Sequence, residues 1–300
     1  MIQLEQRIFA FDRLGDFLRN INPEDPTYDR LFETIKHAKS KNGWFSKEKV
    51  LHAFAAWGQL LNKKDLTQWL LPYSFDHTAP KTVGLVLAGN IPLVGFHDVL
   101  SVLLSGNKAL VKCSSSDPLL IAFLIQKLEE FEPRFTSFVE FTKERFTDFD
   151  AVISTGSNNA ARYFEYYFSK VPNLIRSNRN GVAILDGNET QEELQALASD
   201  IVQYFGLGCR STSKIFVPKD YDLNLIFGAL YPYASLMDSA KYANNYDYNK
   251  AVYLMSLFDL LDNGFFLLKE DASYTSPVAC LHYEYYEDAQ MLEKKLIMIK

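Results

Sequence analysis

Residues 81–112 read KTVGLVLAGNIPLVGFHDVLSVLLSGNKALVK, and this stretch decides the fold. The β-branched run KTVGLVLAG (81–89) predicts a strand that ends in a glycine turn. IPLVGFHDVLSVLLSG (91–106) predicts a helix that ends at Gly106, and KALVK (108–112) predicts a second strand. A strand, a helix and a second strand in this order predict a parallel βαβ unit.

The same alternation continues as far as residue 185. Asp117 and Pro118 have the residue types of a helix cap and a first helical turn, and they predict that the helix PLLIAFLIQKLEEF follows. DAVISTGS (150–157) predicts a strand that runs into a turn and a helix, and GVAILDG (181–187) predicts a further strand. Helices then cover both faces of a parallel sheet, and ligands bind such sheets beyond the carboxyl ends of the strands.

Two other regions flank this alternation. Residues 1–80 have amphipathic helical patterning without a motif, and the Pro-containing stretch LPYSFDHTAPK (71–81) closes them. Residues 186–300 begin with the clearest helix of the chain, because Thr190 and Glu193 form a capping box ahead of apolar side chains that recur on one helical face.

A cysteine lies in the loop after this helix. Gly206 is predicted to end the helix and SKIFVP (213–218) to form the next strand, so Cys209 lies in the tight loop LGCRST (207–212). From residue 220 onwards we expect mixed helices and loops, with a charged helix at the end.

The bulk composition is that of an ordinary globular protein. The chain has 300 residues, of which 48% are hydrophobic and 23% charged, enough for a sizeable core. A net charge of −6 argues against a generally basic surface for nucleic acid. Aromatic residues make up 14% of the chain. Either they form a Phe/Tyr-rich core, or some of them line a tunnel that binds an apolar chain. The composition is compatible with both interpretations.

The cysteines and the apolar segments indicate a cytosolic protein. Cys113, Cys209 and Cys280 are too widely spaced for a disulfide framework or a zinc site, so we predict no metal. The N-terminus has no apolar signal core, and the apolar stretches 92–104 and 118–125 are too short or too interrupted to cross a bilayer. We therefore expect no membrane span.

Cys209 itself has two readings. A lone cysteine is commonly a small buried hydrophobe. Here Gly206 and Gly208 permit close approach of a ligand, and the neighbouring Arg210 favours the thiolate that a nucleophile requires. A loop after the end of a helix gains nothing from the helix dipole. The spacing alone does not decide between the two readings.

Polar residues follow three of the predicted strands. Asn90 either donates to a developing oxyanion or caps a helix ahead of Pro92. The run STGS (154–157) leads into a helix whose first backbone N–H groups suit a pyrophosphate, although no GxGxxG occurs. Lys112 either reaches a ribose or a phosphate, or is a solvated lysine.

Four segments, in this order, resemble the aldehyde dehydrogenase superfamily over roughly residues 80–285. AGNIPL is similar to its W-N-x-P segment, whose Asn, here Asn90, serves the oxyanion hole. LLSGNKALVKCSSSD is similar to its A-x-x-x-G-N-x-V-V-x-K-P-S-E cofactor strand. ISTGSNNAARYF is similar to F-T-G-S-x-x-x-G, whose Gly and Ser, here Gly156 and Ser157, meet the cofactor phosphates. GLGCRSTSKIFVP is similar to G-Q-x-C-x-x-x-x-R-x-x-V, whose Cys, here Cys209, is the nucleophile.

This resemblance implies an aldehyde dehydrogenase-like α/β fold, with a Rossmann-like parallel sheet in a cofactor domain and an α/β catalytic domain. Residues 1–80 then form a helical region packed on the cofactor domain, 81–185 the nucleotide-binding domain and 186–300 the catalytic domain. Members of the superfamily usually continue further at the C-terminus, so a chain cut short there and a compact complete chain both stay open.

One departure from the superfamily pattern concerns water. Classical members place a Glu in an E-L-G-G-K strand, and its carboxylate activates the water that hydrolyses the acyl-enzyme. The corresponding stretch RNGVAILDG (179–187) has no Glu, and Asp186 comes only after the strand. A thioester without such a base survives long enough to exchange with a thiol. The departure favours acyl-CoA chemistry over aldehyde oxidation.

Two further departures concern the cofactor. The Glu of K-P-S-E, which pairs with an NAD ribose, corresponds to Ser115 in the run 114–116, and the loss of its charge favours NADPH. The ribose-binding Glu of E-x-F-G-P-V corresponds to Ser273 in SYTSPVACL. The expected cofactor-binding residues are Lys112, Ser114, Ser115, Gly156 and Ser157.

Together with the FHD after AGNIPL and the stretch KYANNYDYNK (241–250), these departures resemble the long-chain acyl-CoA reductases of bacterial luminescence systems and their non-luminous relatives. The resemblance implies that Cys209 takes the acyl group from a fatty acyl-CoA and that hydride from NADPH then releases the aldehyde. Asn90 and the backbone N–H of Cys209 would hold the oxyanion.

Alternatives stay open at this point. Instead of a long-chain acyl-CoA reductase, the chain could be another acylating aldehyde dehydrogenase or an acyl-phosphate reductase. It could also be a non-catalytic subunit with the same fold. His97 lies either near the site, or in the core or on a helix face. The sequence does not decide the acyl chain length, the role of 242–250, or whether the partners include a homo-oligomer or acyl-transfer proteins.

Overall fold

The computed structural model of the chain describes residues 2–75 and 79–297. Part of the stretch that was expected to close the helical region, 76–78, lies outside the described residues. The chain forms two compact units, one that runs up to Asn178 and one that starts at Arg179. Each unit contains its own five-stranded sheet, which confirms the prediction of an α/β fold.

The first unit begins with four helices, as the amphipathic pattern predicted. Buried Phe11 and Leu14 lie on one face of the first helix, while the side chains of Ser46 and Asn62 cap the third and fourth helices by accepting backbone hydrogen bonds. A Cβ on Gly15 would lie 1.8 Å from the carbonyl oxygen of Leu61, so the first helix and the end of the third approach closely only because this residue is glycine. The four helices are α1 (Leu4–Arg19), α2 (Asp29–Lys41), α3 (Lys47–Leu60) and α4 (Lys63–Leu70).

The rest of the first unit alternates strands and helices. The parallel sheet has the order β3-β2-β1-β4-β5, so the chain adds strands on one side of β1 and then on the other. Such a reversal of direction marks the crevice in which parallel sheets bind ligands. Helices α1 and α2 pack on α6, beside this sheet. The elements are β1 (Thr82–Val86), α5 (Phe96–Leu104), β2 (Lys108–Lys112), α6 (Leu120–Phe131), β3 (Val139–Phe141), β4 (Ala151–Thr155), α7 (Asn158–Phe168) and β5 (Asn173–Arg176).

Two helices of this unit begin later than their sequences predicted. Helix α5 begins at Phe96 rather than at 91, because turns precede it and Leu93 has a φ of 59°. Helix α6 begins at Leu120, two residues after the Asp117–Pro118 pair, and the Oδ1 atom of Asp117 accepts the backbone N–H of Leu120 at 3.2 Å.

The second unit is built on a sheet of order β6-β7-β10-β9-β8, in which the pairing of β8 with β9 is antiparallel. The capping box of α8 is present: the Thr190 hydroxyl accepts the N–H of Glu193 at 3.2 Å, and the Glu193 carboxylate accepts the N–H of Thr190 at 2.8 Å. The elements are β6 (Gly181–Ile184), α8 (Gln191–Val202), β7 (Thr212–Pro218), α9 (Asn224–Leu230), α10 (Ala240–Met255), β8 (Leu260–Asp262), β9 (Leu267–Glu270), β10 (Cys280–Tyr286) and α11 (Ala289–Ile297).

Two boundaries in this part of the chain differ from those expected from the sequence. Helix α8 ends at Val202 rather than at Gly206, because Tyr204 and Phe205 have φ values of 52° and 61°. Strand β6 pairs with β7, so the division between the units falls after Asn178 rather than after residue 185.

No helix within the described ranges is long and apolar enough to cross a membrane.

Candidate active site

The carboxyl ends of β1, β2 and β4 bring the polar residues of the first unit to one edge of its sheet. The register pairs Val86 with both Lys112 and Ser154, so the three strands end side by side. Asn90 follows β1 and is exposed. The run 112–115 closes and follows β2, and Gly156 and Ser157 follow β4. All six residues expected in this unit therefore lie at the same sheet edge, beside the reversal of strand order.

A buried carboxylate joins the loops after β1 and β2. Asp117 is 2% exposed, and its Oδ2 atom accepts the backbone N–H of Leu93 at 3.2 Å. Burial raises the pKa of Asp117 to about 6, although hydrogen bonds from backbone N–H groups act against that rise. The loops also touch directly, since a Cβ on Gly89 would lie 2.6 Å from the Cβ of Ser114. The sequence indicated the cap that Asp117 provides for α6, but not its bond to the Asn90 loop.

The residues after β2 present hydroxyl groups and one ammonium group. Lys112 is half-buried and donates from Nζ to the carbonyl oxygen of Glu144 at 3.2 Å. The Ser114 hydroxyl accepts the N–H of Ser116 at 3.2 Å, and Ser115 is exposed. The sequence of this run contains no carboxylate between Lys112 and Ser116.

The turn after β4 opens an 11-residue helix at the same edge. The N–H of Gly156 donates to the carbonyl oxygen of Arg176 at 3.1 Å, which continues the pairing of β4 with β5. The Ser157 hydroxyl caps α7 by accepting the N–H of Ala160 at 3.2 Å. Lysine ammonium, serine hydroxyl and helix N-terminal amide groups are donors of the kind that bind phosphates and ribose oxygens, and this edge brings them together.

An ion pair between a buried carboxylate and a half-buried guanidinium supports this edge from α5. The Nη1 atom of Arg176 lies 2.7 and 2.9 Å from the two carboxylate oxygens of Asp98, which is 6% exposed. Burial alone would raise the pKa of Asp98, but hydrogen bonds from His97 and Arg176 keep it below its usual value. His97 is an exposed residue of the first turn of α5, with its ring 5.8 Å from that of Trp69, and so lies on a helix face.

Cys209 lies in the second unit, in the exposed loop between α8 and β7. A backbone hydrogen bond of 3.0 Å from the N–H of Ser211 to the carbonyl oxygen of Gly208 forms the turn around it. The other cysteines are shielded: burial raises the pKa of both Cys113 and Cys280 to about 12. Cys209 is exposed, whereas Cys113 is half-buried and Cys280 is buried, so Cys209 is the most accessible of the three thiols.

Strand β6 begins beside the Cys209 loop. The N–H of Gly181 donates to the carbonyl oxygen of Ser211 at 3.0 Å, and a Cβ on Gly181 would lie 2.8 Å from the carbonyl oxygen of Arg210. The sequence from 173 to 187 contains no Glu. Asp186 follows the far end of the strand, about 16 Å from Gly181 at the usual rise per residue.

Ser273 and the stretch 242–250 also lie in the second unit. Helix α10 contains 242–250, and its side chains hold loops: the Tyr242 hydroxyl donates to the carbonyl oxygen of Phe265 at 3.1 Å, and Asn249 donates to that of Val278 at 2.9 Å. Tyr242 therefore fixes the loop before β9, and Asn249 fixes the segment before β10 that also contains Ser273.

A small cavity lies near the Cys209 loop and is lined in part by Phe205, Tyr242 and Phe266. Its volume of about 10 Å³ is that of a single water site rather than of an apolar chain. Within the described ranges, no group of three or more His, Cys, Asp or Glu side chains is arranged to hold a metal ion.

Comparison with known proteins gives a family and a fold. A family model described as acyl-CoA reductase (LuxC) matches residues 27–226. Among solved structures, a putative aldehyde dehydrogenase from Burkholderia cenocepacia is similar with a TM-score of 0.70 and 15% identity, over 97% of this chain and 71% of that one. The aldehyde dehydrogenase KauB from Pseudomonas aeruginosa is similar with a TM-score of 0.67 and 14% identity, over 97% of this chain and 69% of that one.

A third similar structure was solved with ligands bound. The P. syringae indole-3-acetaldehyde dehydrogenase AldA, solved as a mutant in complex with NAD+ and IAA, gives a TM-score of 0.67 and 14% identity over 97% of this chain and 69% of that one. No curated protein matches the chain by sequence. The structural matches confirm the aldehyde dehydrogenase-like fold that the four sequence segments predicted.

Proposed function

The chain belongs to the acyl-CoA reductase (LuxC) family, and on that premise we propose that it reduces a fatty acyl-CoA to the aldehyde with NADPH through a thioester on Cys209. Family and fold together assign oxidoreductase chemistry at the level of an aldehyde group. The observation that carries the finer proposal is an exposed thiol beside a strand that has no carboxylate.

Cys209 is the nucleophile of the proposed reaction. Its thiolate attacks the carbonyl carbon of the acyl-CoA, a thioester forms on Sγ, and CoA leaves as its thiolate, which takes up a proton. The cofactor, when bound, supplies a hydride to the carbonyl carbon, and a proton completes the thiol of Cys209 as the aldehyde departs. Exposure of Cys209 supports this role and argues against a non-catalytic subunit with an occluded thiol.

We propose that the lack of a carboxylate on strand β6, beside the Cys209 loop, determines the fate of the thioester. Hydrolysis needs a carboxylate within hydrogen-bond reach of the attacking water. Gly181 is the residue of β6 that approaches the Cys209 loop, and Asp186 lies at the other end of the strand. The thioester is thereby protected from hydrolysis and available to a thiol or a hydride, which supports acyl-CoA reduction over aldehyde oxidation.

Two N–H donors are proposed for the oxyanion that forms at the acyl carbonyl: the side-chain amide of Asn90 and the backbone N–H of Cys209. Exposure of Asn90, and the fixing of its loop by Asp117, support the first assignment. Preorganised donors of this kind typically contribute 10²–10³-fold to the rate.

The first sheet edge is proposed to bind the cofactor. A nicotinamide dinucleotide is supported by the NAD+ complex of the P. syringae relative in fold. Ser115 has no negative charge to repel a 2′-phosphate, and Lys112 provides a nearby positive charge, which together support NADPH. The residues proposed to hold the cofactor are Lys112, Ser114, Ser115, Gly156 and Ser157. A reactive thiol stays reduced in the cytosol, where we propose that the enzyme works.

Mass spectrometry after mixing with a fatty acyl-CoA, without NADPH, tests the proposal. We expect one acyl adduct on the peptide that contains Cys209, which disappears when NADPH is added. Cys113→Ala removes a shielded thiol and retains the adduct, whereas Cys209→Ala abolishes it. An adduct that forms equally in Cys209→Ala would eliminate the mechanism. An acyl phosphate that acylates the thiol faster than acyl-CoA does would favour the alternative substrate.

A further inference from the structure

The loop that carries Asn90 is fixed on both sides of that residue. On one side, Gly89 packs closely against the loop after β2, since a Cβ there would lie 2.6 Å from the Cβ of Ser114. On the other side, the side chain of Leu93 is 1% exposed and is therefore anchored in the core of the first unit. Asn90 lies in the short span between these two fixed points.

The backbone within this span has few conformations open to it. The ring of Pro92 fixes its own φ, and the residue before a proline, here Ile91, is restricted as well. Leu93 has a φ of 59°, in the left-handed region that is unfavourable for residues other than glycine. A backbone of this kind persists only where surrounding contacts hold it.

The side chain of Asp117 supplies such a contact. Its Oδ2 atom accepts the backbone N–H of Leu93 at 3.2 Å, and its Oδ1 atom accepts that of Leu120, the first residue of α6, at 3.2 Å. The N–H of Asp117 donates to the carbonyl oxygen of Ser114 at 3.1 Å. One residue therefore connects the Asn90 loop, the loop after β2 and the start of α6.

The negative charge of Asp117 is not explained by the helix alone. Asn and Ser cap a helix as well as Asp does, and they avoid the cost of a buried carboxylate. That cost is present here, because Asp117 is 2% exposed and burial raises its pKa to about 6. Only a carboxylate offers two acceptor oxygens and no donor. The bond to Leu93 uses the second oxygen and accounts for the choice of residue.

We propose that Asp117 is a positioning residue for the oxyanion donor: by holding Leu93 in its left-handed conformation, it sets the position of the Asn90 amide before the substrate binds. The inference rests on the proposed function, in which Asn90 donates to the oxyanion at the acyl carbonyl. A donor stabilises developing charge well when its direction is already set, because no reorganisation is then needed during the reaction.

Two reactions of Cys209 test the proposal on the whole chain. Acylation by a saturated fatty acyl-CoA, without NADPH, forms an oxyanion, whereas alkylation by iodoacetamide displaces iodide at a saturated carbon and forms none. Both rates are measured by mass spectrometry at pH 8, where Asp117 is ionised. The acyl-CoA is the one that acylates the unmodified chain fastest in a series of chain lengths.

Asp117→Asn separates the two roles of the carboxylate. Its amide oxygen still caps α6, but the NH2 group that replaces the other oxygen cannot accept the N–H of Leu93. We expect acylation to slow about tenfold, a part of what one preorganised donor contributes, and alkylation to stay unchanged.

A double-mutant cycle shows whether Asp117 acts through Asn90. Asn90→Ala removes the donor and is expected to slow acylation about a hundredfold. In that background, Asp117→Asn has no further effect, because no amide is left to position. Gly89→Ala places a Cβ against Ser114 and displaces the same loop from its other side. We expect it to slow acylation, and again only when Asn90 is present.

Ser46→Ala is the control for a general loss of stability. It removes the hydroxyl that caps α3 by accepting the N–H of Lys49 at 3.2 Å, far along the chain from the Asn90 loop. Both rates at Cys209 are expected to stay unchanged. In every variant, slow alkylation of the buried Cys280 shows that the chain is folded.

The outcomes separate this inference from the proposed function. Unchanged acylation in both Asp117→Asn and Gly89→Ala overturns the positioning role. Equal slowing by Asp117→Asn with and without Asn90 also overturns it, as does a parallel slowing of alkylation. If instead the unmodified chain forms no adduct on Cys209, or if Asn90→Ala is acylated at the unmodified rate, the proposed function fails in that part and the inference falls with it.

Discussion

One guanidinium nitrogen of Arg176 contacts both carboxylate oxygens of Asp98, at 2.7 and 2.9 Å. The two residues are 78 positions apart in the chain, and the bond connects the end of β5 to the first turn of α5. This bond therefore holds helix α5, which follows the Asn90 loop, against β5, the edge strand of the first sheet.

Removal of the arginine is expected to destabilise the first unit. Arg176→Met leaves the carboxylate of Asp98 buried without its cation, so we expect the free energy of unfolding to fall by about 3 kcal/mol. Denaturant unfolding measures the change. Arg162→Met, at an exposed position of α7, changes it by less than about 0.5 kcal/mol. If the Asp98→Leu, Arg176→Met double variant is no more stable than Arg176→Met alone, the loss does not come from an uncompensated charge.

The exposure of the cysteines predicts selective alkylation. With iodoacetamide at pH 7.5, we expect Cys209 to react at least about a hundredfold faster than Cys113 or Cys280, because burial keeps both as thiols. Peptide mapping by mass spectrometry over time measures the three rates. Prior incubation with a fatty acyl-CoA is expected to protect Cys209. Equal rates at all three positions in folded protein would contradict the assignment of Cys209 as the accessible nucleophile.

Cofactor preference is expected to depend on the charge at position 115. Ser115→Glu places a carboxylate where the proposed 2′-phosphate lies, so we expect the KM for NADPH to rise about tenfold or more and that for NADH to change little. Steady-state kinetics with both cofactors measures the ratio. Ser116→Glu adds the same charge one residue further on and serves as the control. A similar rise in both variants would point to general repulsion rather than to a ribose contact at Ser115.

The raised pKa of Asp117 predicts a specific dependence of stability on pH. The folded state binds a proton at Asp117 with a pKa of about 6, whereas the usual value is 3.8, so between these values the folded state holds more protons. The contribution of Asp117 to stability therefore falls as the pH rises from about 4 to 6, by about 3 kcal/mol in total.

Asp117→Asn removes this titration and isolates it from that of the other carboxylates. We expect the wild-type chain to gain stability relative to Asp117→Asn as the pH is lowered from 7 to 4, measured by denaturant unfolding at each pH. A constant difference between the two proteins across this range would show that the carboxyl group of Asp117 titrates normally despite its burial.

The local patterns of the sequence predicted much of the fold. The apolar runs at 81–89 and 108–112 correctly predicted β1 and β2, and the capping box at Thr190 correctly predicted the start of α8. These predictions succeeded because strand burial and helix caps depend on residues that are close together in sequence. The predicted end of α8 was wrong. Tyr204 and Phe205 have left-handed φ values, and because neither is a glycine, the sequence does not indicate this conformation.

Contacts between distant parts of the chain could not be predicted from the sequence. The pairing of Lys214 with His282 requires the order and register of β7 and β10, which are separated by more than 60 residues. For the same reason, nothing in the FHD segment indicated that Asp98 meets Arg176. The roles of Cys209 and Asn90 stay predictions, since they depend on bound substrate.

The chain completes the first sheet before it enters the second, and this order has a consequence for biosynthesis. Strand β5 ends at Arg176 and β6 starts at Gly181, and in the described part of the chain each sheet takes its strands from one unit. Domains are generally able to fold in the order in which the ribosome releases them. The sheet that carries Asn90 can thus form on the nascent chain before the last strand of the second sheet, β10, has been released from the ribosome.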